Sequence, residues 1–472
     1  MSAKKPLCVD LDGTLVLTDT MWEAFFALIK QEPTHIFSTM WHIKYGRGYG
    51  KHKIAAKTSV EPNLLPYNTP LLNWIKAEKA SGRKIYLVTG SNEKFAHAVA
   101  DYLGIFDGVI ASTHKRVMSG PDKADALTTQ FGDKGFAYAG NSTADLPAWK
   151  AADEIILVNT SKAVEALAKQ LGPVTKTFPG EALTARLILR AIRWHQWIKN
   201  ILLFVPVLTA HELMNPSAMV NAALGFISFS AIASAVYVMN DLTDTTADRQ
   251  NAYKKHRPIA AGRLSPQAAM KIGAVLGVTS IGVALLLPAS FLLVIALYIL
   301  INIAYSLKLK RVIGLDVLII TSLYVLRIFA GSAATGITTS PWLFIFAAGV
   351  FLSLALVKRV SEIINAEVQG SNKSGRAYTS DHLPLLTRIG SISMYASLVV
   401  LILYIQNPTV QVLYRVPMLL WLLVPMFWVW MYRVWRITKA GQMHEDPTVF
   451  TGKDPASILA GVVAITIVFL AS

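Results

Sequence analysis

The chain has 472 residues, of which 53% are hydrophobic and only 16% are charged, and its formal net charge is +16. Soluble domains average about 25% charged residues, so this composition excludes a disordered chain and an entirely soluble enzyme, and it indicates membrane spans. The single cysteine, Cys8, excludes a disulfide framework and favours a reducing, cytosolic setting. Acidic residues stand where the apolar region of a signal peptide would lie, so we expect no secretory signal.

Charge is distributed unevenly along the chain. Residues 1–185 contain 21 Lys and Arg and 18 Asp and Glu, whereas residues 186–472 contain 24 and 11, a net of +13. Positive charge on an apolar part favours anionic lipid, nucleic acid or phosphorylated substrates as partners. The sequence has no basic and aromatic run typical of a nucleic-acid module, so we expect membrane lipid and phosphorylated substrates as partners and no nucleic acid. An oligomer remains possible.

Short apolar strands alternate with helical stretches over residues 1–171, which predicts a doubly wound parallel sheet of the Rossmann type. The strands are expected in LCVDLDGTL, RKIYLVTGS, FDGVIAS, KGFAYAGNS and EIILVN. Residues 16–80 follow the first strand directly, are helical and rich in aromatic residues, and are predicted to form a cap over the carboxyl edge of the sheet. Residues 172–185 are the predicted linker to the second part of the chain.

The aromatic residues of the predicted cap have two interpretations. They could hold a lipid chain, or they could form the core of the cap, and we favour the core. These residues are Trp22, Phe25, Phe26, Phe37 and Trp41.

Nine apolar stretches of spanning length lie within residues 186–472 and predict an all-α polytopic membrane domain. They lie at about 198–214, 217–239, 267–287, 289–307, 314–336, 341–359, 385–406, 416–434 and 455–471. The loops that hold most of the Lys and Arg of this part are 186–199, 240–266, 308–311, 358–388 and 433–453. The positive-inside rule makes these loops and the N-terminal domain cytoplasmic, and nine spans then place the C-terminus outside.

The first chemical motif is Asp10-Leu11-Asp12-Gly13-Thr14, at the carboxyl end of a predicted strand, where α/β sheets bind ligands. Asp10 can attack phosphorus as a nucleophile. Asp12, two residues further on, points the same way and can act as general acid and base. The motif therefore indicates phosphoryl chemistry.

Later strand ends and helix starts provide the other groups that a phosphate site needs. Thr89 can hydrogen-bond a phosphoryl oxygen, and Lys123 can neutralise transferred charge. Asn141 and Asp145 can hold Mg²⁺ together with the two aspartates of the first motif.

These motifs, in this order, resemble the haloacid dehalogenase-like (HAD) phosphatase superfamily over about residues 6–160. The resemblance implies a Rossmann-like fold, Mg²⁺ and phosphomonoester hydrolysis. The fourth motif of the family usually begins with Gly-Asp, whereas this sequence has Gly140-Asn141, which gives the metal less negative charge. A degenerate, regulatory domain is the alternative. We favour an active phosphatase because the nucleophile, the acid, the threonine and the lysine are all present.

The second chemical motif, NDLTDTTAD at residues 240–248, closes the second predicted span. Spacings of three and four place Asp241, Asp244 and Asp248 on one helix face. Three carboxylates repel one another unless a cation joins them, and a Mg²⁺ ion that holds a diphosphate meets that requirement. Asn240 precedes them as a candidate substrate contact. The cations that follow and can bind further phosphate oxygens are Lys254, Lys255, Arg257 and Arg263.

This motif, followed by RPIAAG, resembles the UbiA-type prenyltransferase superfamily over about residues 186–472. The resemblance implies a bundle of nine membrane helices with a cytosolic active site. Members that use prenyl diphosphates normally carry a second DxxxD motif for a second Mg²⁺. The matching loop here, YSLKLKRVIGLDVLI, retains one acid, Asp316, and the apolar Val312 and Ile320 stand four residues to either side.

Further fingerprints look more like one branch of this superfamily, the polyprenyl-phosphate phosphoribosyltransferases. They are RWHQWIKN, the run from Asn240 to Pro266, YSLKLKRVIGLD, VLRIFAG, SLALVKR and GRAY. The branch implies phosphoribosyl pyrophosphate as donor and a polyprenyl phosphate as acceptor, in a bacterial inner membrane. One Mg²⁺ suffices for the diphosphate of this donor, and an acceptor that is already an anion requires no general base.

Other polar residues of the second part are expected to bind the two phosphorylated substrates. They are Lys199, Lys310, Asp316, Arg327, Lys358, Arg359, Arg376 and Tyr378. Two alternatives stay open. Arg327 could form an ion pair with Asp316 inside the bundle, and Lys308 and Lys310 could be snorkelling anchors.

Together the two motifs predict a bifunctional enzyme that transfers phosphoribose to a lipid and then removes the 5-phosphate. The main alternative is a prenyltransferase that moves an isoprenoid from its diphosphate to a small acceptor, and the missing second acidic motif counts against it. The third hypothesis is a transporter or lipid-binding protein with a sensor domain. Acids and bases clustered on one membrane face, with few polar residues at mid-span, count against that hypothesis.

Overall fold

A computed structural model of the chain describes residues 4–32, 47–114, 116–307, 309–368, 378–443 and 446–472. The chain divides into two compact units. Unit 1 comprises Met1–Ile192 and Tyr237–Ala274, and unit 2 comprises Arg193–Val236 and Val275–Ser472. Unit 1 therefore includes residues 237–274, which we expected in the membrane domain.

Unit 1 is built on a six-stranded parallel sheet, as the alternation of strands and helices predicts. Its strands are β1 (Leu7–Asp10), β2 (Ile85–Asn92), β3 (Gly108–Ser112), β4 (Ala137–Gly140), β5 (Glu154–Val158) and β6 (Val174–Phe178). Their order is β3-β2-β1-β4-β5-β6. The direction of winding reverses between β1 and β4, and α/β sheets bind ligands beyond the carboxyl ends of the strands at such a point.

In the described part of the chain, a first group of helices in unit 1 precedes its second segment. They are α1 (Thr20–Gln31), α2 (Arg47–Lys57), α3 (Thr69–Ala80), α4 (Glu93–Leu103), α5 (Gly120–Phe131), α6 (Leu146–Ala151), α7 (Lys162–Lys169) and α8 (Ala185–Ala191). Leu7 and Val9 of β1 join one apolar cluster, whereas Cys8 between them joins another. Successive side chains of a strand point to opposite faces, so the sheet has an apolar core on each side.

The sixth strand lies inside residues 172–185, which we expected to be a linker. β6 pairs with β5, and the side chain of Phe178 is buried against the sheet. Thr175, Lys176 and Thr177 are exposed. The segment looks like a linker in the sequence because edge strands carry polar and charged side chains that discourage further pairing.

The predicted cap, residues 16–80, divides into two parts among the described residues. α3 belongs to the sheet layers, because its Leu71 and Ile75 are fully buried in the same cluster as β1. α1 and α2 instead pack on each other, with Leu28 and Ile54 in one small core. Of the aromatic residues of the cap, Phe26 is buried in a protein core.

Trp22 and Phe25 pack against that same core. The contacts of these aromatic residues agree with the core interpretation rather than with a lipid site. Phe37 and Trp41 lie outside the described residues.

The rest of the described chain is mostly helical. Its helices are α9 (Val205–Thr209), α10 (Pro216–Thr243), α11 (Thr245–Gln250), α12 (Pro266–Ala284), α13 (Ala289–Leu307), α14 (Leu315–Thr335), α15 (Pro341–Val368), α16 (Leu383–Gln406), α17 (Pro408–Gln411), α18 (Leu423–Lys439), α19 (Pro447–Thr451) and α20 (Pro455–Ala471).

Seven helices among the described residues are long and apolar enough to cross a membrane. They comprise α10, α12, α13, α14, α15, α16 together with the turn from Ser380, and α18 together with the turn from Pro417. α20 is apolar but has 17 residues. The expected count of nine spans is therefore not confirmed.

The first expected span, residues 198–214, is not one continuous helix. It consists of the end of a 3₁₀ helix, Trp194–Phe204, and then of the short α9. Leu203 and Val207 are fully buried inside the protein. An apolar run of this length does not reveal whether it faces lipid or the interior of the protein, and here these two side chains face the interior.

Close packing in unit 2 depends on a small residue in α14. A Cβ atom at Gly331 would overlap the backbone carbonyl of Leu203. Small residues allow such close approach between membrane helices and neighbouring backbone. Gly277 of α12 differs, because no atom from outside its own helical turn lies within 4 Å of the position that its Cβ would take.

We predict that Gly331→Ala destabilises the protein by about 1–3 kcal/mol, because the backbone of Leu203 must move to admit the methyl group. Gly277→Ala is the matched control and should be neutral or stabilising, since alanine favours a helix over glycine by roughly 1 kcal/mol. Thermal unfolding of the two variants in detergent micelles measures the difference. Equal midpoints for Gly331→Ala and the wild type would contradict the packing argument.

Candidate active sites

The carboxyl ends of adjacent strands bring the residues of the predicted phosphate site together in unit 1. Asp10 ends β1, Thr89 lies in β2 and Asn141 follows β4. Lys123 lies in the first turn of α5, and Asp145 ends the turn before α6. The site thus lies at the switch point of the sheet.

The buried ammonium group of Lys123 connects most of these residues. Its Nζ donates to Asp10 Oδ1 at 2.9 Å, to Asp145 Oδ1 at 3.1 Å and to the hydroxyl of Tyr138 at 2.9 Å. Thr14 donates to the other oxygen of Asp10 at 3.2 Å. Burial lowers the pKa of Lys123, but the two carboxylates outweigh burial and raise it overall, so the ammonium group keeps its charge.

Asp12 has a different set of partners. The backbone N–H of Thr20 donates to Asp12 Oδ1 at 2.8 Å, and the hydroxyl of Thr89 lies 3.5 Å from Asp12 Oδ2. Burial, together with the negative charge of Asp19, raises the pKa of Asp12 to about 6. A carboxyl group with a raised pKa can carry a proton near neutral pH, which a general acid requires.

Asn141 stands where the family resemblance leads us to expect an aspartate. Its side chain lies directly over Gly13, whose φ is +75° and where a Cβ would overlap the amide. Asp145 Oδ2 accepts hydrogen bonds from the backbone N–H groups of Asn141, at 2.9 Å, and Ser142, at 3.1 Å. Burial raises the pKa of Asp145, but Lys123 and these donors hold it below its usual value. Asp145 therefore orients the ammonium group and the turn.

The charges of this site fit a divalent cation. Asp10, Asp12 and Asp145 share the site with one ammonium group, and burial raises the pKa of Asp10 to about 7 although Lys123 opposes this. The first two carboxylates and the amide oxygen of Asn141 are the kind of ligand that Mg²⁺ prefers. No three His, Cys, Asp or Glu side chains converge on a metal position in the described part of the chain.

Two residues at or next to this site were not predicted from the sequence. Tyr138 bridges Lys123 and Asp145, since its hydroxyl donates to Asp145 Oδ1 at 2.9 Å. Its position in β4, two residues before the glycine that ends the strand, is the signal that could have indicated it. Asp19 caps α1 by accepting from two backbone N–H groups at 3.0 Å, and an aspartate before a helix predicts such a cap.

The acidic segment, residues 240–249, belongs to unit 1 and is not one continuous helix. α10 ends at Thr243 and α11 begins at Thr245. The hydroxyl of Thr245 donates to the carbonyls of Asp241 and Leu242, both at 2.9 Å. A break of one residue, Asp244, therefore separates the two helices, because short polar side chains compete for backbone groups and interrupt helices.

Arg257 joins two of the three aspartates. Its Nη1 donates to Asp241 Oδ1 at 3.1 Å and to Asp248 Oδ2 at 2.6 Å, and both carboxylates are buried. Burial raises the pKa of Asp248, Arg257 opposes this shift and Asp241 adds to it. Asp244 instead faces α1, where Lys30 Nζ lies 2.6 Å from its Oδ1. Arg257 thus brings two carboxylates together, and carboxylate oxygens are the kind of ligand that Mg²⁺ prefers.

The other predicted residues near the acidic segment differ in exposure. Lys254 and Lys255 lie in an exposed 3₁₀ turn, Lys254–His256. Asn240 is half-buried near the end of α10. Arg263 forms an ion pair with Glu181 at the surface of unit 1. The two lysines are therefore accessible to a substrate phosphate.

Two predicted phosphate-binding lysines of unit 2 share one buried carboxylate. Lys199 Nζ lies 3.0 Å and Lys358 Nζ 2.7 Å from Asp446 Oδ2. Burial raises the pKa of Asp446, but the two lysines outweigh it and hold the pKa well below its usual value. Asp446 was not predicted from the sequence as part of this cluster. An aspartate directly before the proline that begins α19 is nevertheless typical of a helix cap.

The predicted residues Asp316, Arg359 and Tyr378 form an internal network. Arg359 Nε lies 2.6 Å from Asp316 Oδ2, and Tyr378 donates to Asp316 Oδ1 at 2.5 Å. Asp316 is fully buried, Arg359 is almost fully buried, and Arg359 also pairs with Glu362. The carboxylate that corresponds to a second acidic motif is thus engaged by protein groups.

Arg327 lies inside unit 2 among aromatic rings. The centre of its guanidinium group lies 5.4 Å from the ring centroid of Phe229, 5.7 Å from that of Tyr298 and 5.4 Å from that of Tyr324. Its Nε donates to the side-chain oxygen of Asn200 at 2.9 Å. These contacts take the place of the ion pair with Asp316 that the sequence left open. Cation–π and amide contacts make a buried arginine tolerable.

Three basic residues singled out in the second part of the chain have yet to be placed. Lys310 is half-buried in the 3₁₀ turn Leu309–Arg311. Lys308 and Arg376 lie outside the described residues.

Comparison with known proteins gives related sequences for the whole chain and for its second part. The chain is 37% identical over 461 residues to the uncharacterized protein y4nM of Sinorhizobium fredii, and the match covers 97% of this chain and 89% of that protein. It is 36% identical over 204 residues to the decaprenyl-phosphate phosphoribosyltransferase of Mycobacterium tuberculosis, with 42% of this chain and 67% of that protein covered.

A comparison of folds gives a neighbour for the N-terminal part. A HAD family hydrolase from Salmonella enterica subsp. enterica serovar Typhi matches with 14% identity and a TM-score of 0.28, over 37% of this chain and 68% of that chain. Residues 201–453 match the UbiA prenyltransferase family. Since this match extends over more than half of the chain, the protein belongs to the UbiA prenyltransferase family.

Proposed function

We propose that the chain is a bifunctional membrane enzyme, which transfers 5-phosphoribose from phosphoribosyl pyrophosphate to a polyprenyl phosphate and then removes the 5-phosphate. The proposal rests mainly on the burial and the contacts of Asp316. Its carboxylate is fully buried and is paired with Arg359 and Tyr378. A prenyl diphosphate donor would need a second acidic site for a second Mg²⁺, whereas the diphosphate of phosphoribosyl pyrophosphate needs one. The related decaprenyl-phosphate phosphoribosyltransferase supports the same donor and acceptor classes.

The transfer step makes one bond and breaks one. An oxygen of the lipid phosphate attacks C1 of the ribose, the bond from C1 to the diphosphate breaks, and pyrophosphate leaves. Asp241, Asp244 and Asp248 would hold Mg²⁺, which supplies charge stabilisation to the leaving diphosphate. Lys254, Lys255 and Arg257 bind its remaining oxygens.

Further polar residues bind the 5-phosphate of the donor or the phosphate of the acceptor. We assign this role to Lys199, Asn240, Lys310, Arg327, Lys358 and Arg376. Arg359 and Tyr378, with Asp316, shape this region through their mutual contacts.

The hydrolysis step proceeds in two halves. A carboxylate oxygen of Asp10 attacks phosphorus, the bond from phosphorus to the ribose oxygen breaks, and Asp12 gives its proton to that oxygen. Asp12 then takes a proton from the water that attacks the aspartyl-phosphate, and phosphate leaves. Lys123 and Thr89 hold the phosphoryl oxygens. Mg²⁺ held by Asp10, Asp12 and Asn141, with Asp145 behind them, would neutralise phosphoryl charge.

The two reactions follow each other naturally on one chain. The product of transfer carries a 5-phosphate, which is a phosphomonoester and a substrate for the first site. Covalent linkage raises the local concentration of this product to roughly the millimolar range for a short linker. The charged loops favour a bacterial inner membrane with both sites on the cytoplasmic side and the C-terminus outside.

The acidic segment provides the first test. Asp248→Asn should reduce phosphoribosyl transfer by about a hundredfold or more, because a lost carboxylate ligand removes several kcal/mol of charge stabilisation from the leaving diphosphate. The assay is Mg²⁺-dependent release of pyrophosphate from phosphoribosyl pyrophosphate on addition of polyprenyl phosphate. The exposed Asp381 provides the control variant Asp381→Asn, which should transfer normally. Prenylation of an aromatic acid by the wild type, with no ribosyl transfer, would instead favour the prenyltransferase.

The nucleophile of the phosphatase provides the second test. Asp10→Asn keeps the size of the side chain but removes its negative charge, so dephosphorylation should stop while transfer continues. Mass spectrometry should then show a ribosyl lipid that is heavier by one phosphate than the wild-type product. Asp101→Asn, on the exposed side of α4, is the control. A wild-type product that already retains the phosphate would remove the phosphatase from the proposal.

The asparagine of the fourth motif provides the third test. Asn141→Asp adds a negative charge beside Asp10 and Asp12, so we expect tighter Mg²⁺ binding at the phosphatase site. The Mg²⁺ concentration for half-maximal phosphatase activity should fall by roughly tenfold, the order that one further charged contact provides. An unchanged Mg²⁺ dependence would show that this side chain does not contact the metal.

A further inference from the structure

The first helix after the nucleophile motif contacts the acidic segment within unit 1. Glu23 of α1 and Arg249 form a pair of parallel hydrogen bonds, from Arg249 Nη1 to Glu23 Oε2 at 2.8 Å and from Nη2 to Oε1 at 2.6 Å. Both side chains are largely buried, with 11% and 7% of their surface exposed. Arg249 Nε also donates to the carbonyl of Ala260 at 2.8 Å. Such bidentate pairs fix the relative orientation of the two side chains and also strengthen the interaction between them.

The end of the same helix faces an aspartate that we assign to the donor site. Lys30 Nζ lies 2.6 Å from Asp244 Oδ1. Glu23 and Lys30 are seven residues apart, which is two turns of helix, so they lie on the same face of α1. Two charged residues of α1 thus contact Asp244 and Arg249, which lie five positions apart in the acidic segment.

Apolar packing supports this contact. Phe26 of α1 is buried in one cluster with Val238 and Leu242 of α10 and with Ile259 and Leu264 from the loop that follows α11. This cluster lies in unit 1 and joins α1 to both ends of the acidic segment. The polar pairs are therefore part of a packed core, in which side chains have little freedom to move.

The beginning of α1 connects the same contact to the phosphatase site. Asp19 Oδ2 accepts a hydrogen bond from Gln267 Nε2 at 2.7 Å, and the next residue, Thr20, donates its backbone N–H to Asp12. Gly262, with φ of +71°, approaches so closely that a Cβ would lie 2.7 Å from Cβ of Leu17. One helix thus touches the proposed general acid at one end and the proposed donor site along its length.

We propose that α1, a helix of the phosphatase half, positions the acidic segment for phosphoribosyl transfer, and that Glu23 is its main positioning residue, acting through Arg249. This inference rests on the proposed function. It makes the N-terminal domain necessary for the transfer reaction itself, independently of its own chemistry. Partners that orient metal-ligating side chains typically contribute tenfold to a hundredfold to metal affinity or activity.

The experiment compares Glu23→Gln with the wild type in the full-length protein. We expect the KM for phosphoribosyl pyrophosphate and the Mg²⁺ concentration for half-maximal transfer to rise roughly tenfold or more, with a smaller change in kcat at saturation. Hydrolysis of a supplied phosphoribosyl lipid should continue and shows that the variant is folded. Should Glu23→Gln not fold, Glu23→Asp keeps the charge with a shorter reach and should change the same two constants by a smaller factor.

Glu78→Gln is the matched control. Glu78 also pairs with a buried arginine of unit 1, Arg83, at 3.1 Å, but its other partner is Lys4 and not the acidic segment. The same chemical change at this position should leave the donor KM unchanged. An equal rise in the donor KM for both variants would mean that the effect is general destabilisation, which would overturn the proposal.

A double-mutant comparison tests whether Glu23 acts through Arg249. Arg249→Gln should raise the donor KM by a similar factor, and adding Glu23→Gln to it should have little further effect, since the two changes break one interaction. If the donor KM of the double variant rose by the product of the two single-variant factors, the proposal that Glu23 acts through Arg249 would be overturned.

A binding measurement separates this inference from the proposed function. Mn²⁺ binding in the presence of pyrophosphate can be followed by electron paramagnetic resonance in an Asp10→Asn background, which weakens the other metal site. Glu23→Gln should weaken this binding by roughly tenfold. Wild-type affinity together with a wild-type donor KM would overturn the positioning role. Absence of transfer by the wild type would refute the proposed function alone, because the Mn²⁺ titration still tests the role of Glu23.

Discussion

Both candidate sites depend on the need of buried carboxylates for a positive partner. Removing one partner of a buried ion pair costs about 3–5 kcal/mol, so buried acids in a folded chain are paired with great regularity. Lys123 meets this need for Asp10 and Asp145, and Arg257 meets it for Asp241 and Asp248. In each case two acids share one cation. The shared cation holds the two carboxylates of each candidate site close together.

The same requirement applies inside unit 2. Asp316 is fully buried and is paired with Arg359, and the largely buried Asp446 lies between Lys199 and Lys358. Arg359 also pairs with Glu362, so these charged side chains hold one another in place. The sequence shows the acids and the bases, but the balance between them is a property of the folded chain.

Unit 1 contains the sheet with its candidate phosphate site and also residues 237–274, which hold the acidic segment. The apolar cluster around Phe26 and the pair of Glu23 with Arg249 join these two parts of the sequence. A displacement at one of these two candidate sites can therefore reach the other through α1, since packed cores transmit small displacements.

The sequence by itself determined the parallel sheet, the helical membrane part and most residues of the candidate phosphate site, because strand alternation and motif spacing are local properties. Asp10, Asp12 and Lys123 lie at or just after a strand end or at a helix start, and Thr89 lies within β2, all in short patterns that the sequence shows. Tertiary structure decided which charges meet: Tyr138 between Lys123 and Asp145, Asp446 between two lysines, and Lys30 at Asp244. It also decided that the helical part of residues 198–214 is divided into two short helices and that 174–178 form a strand. These features depend on contacts between residues far apart in the chain, and a local pattern carries no information about such contacts.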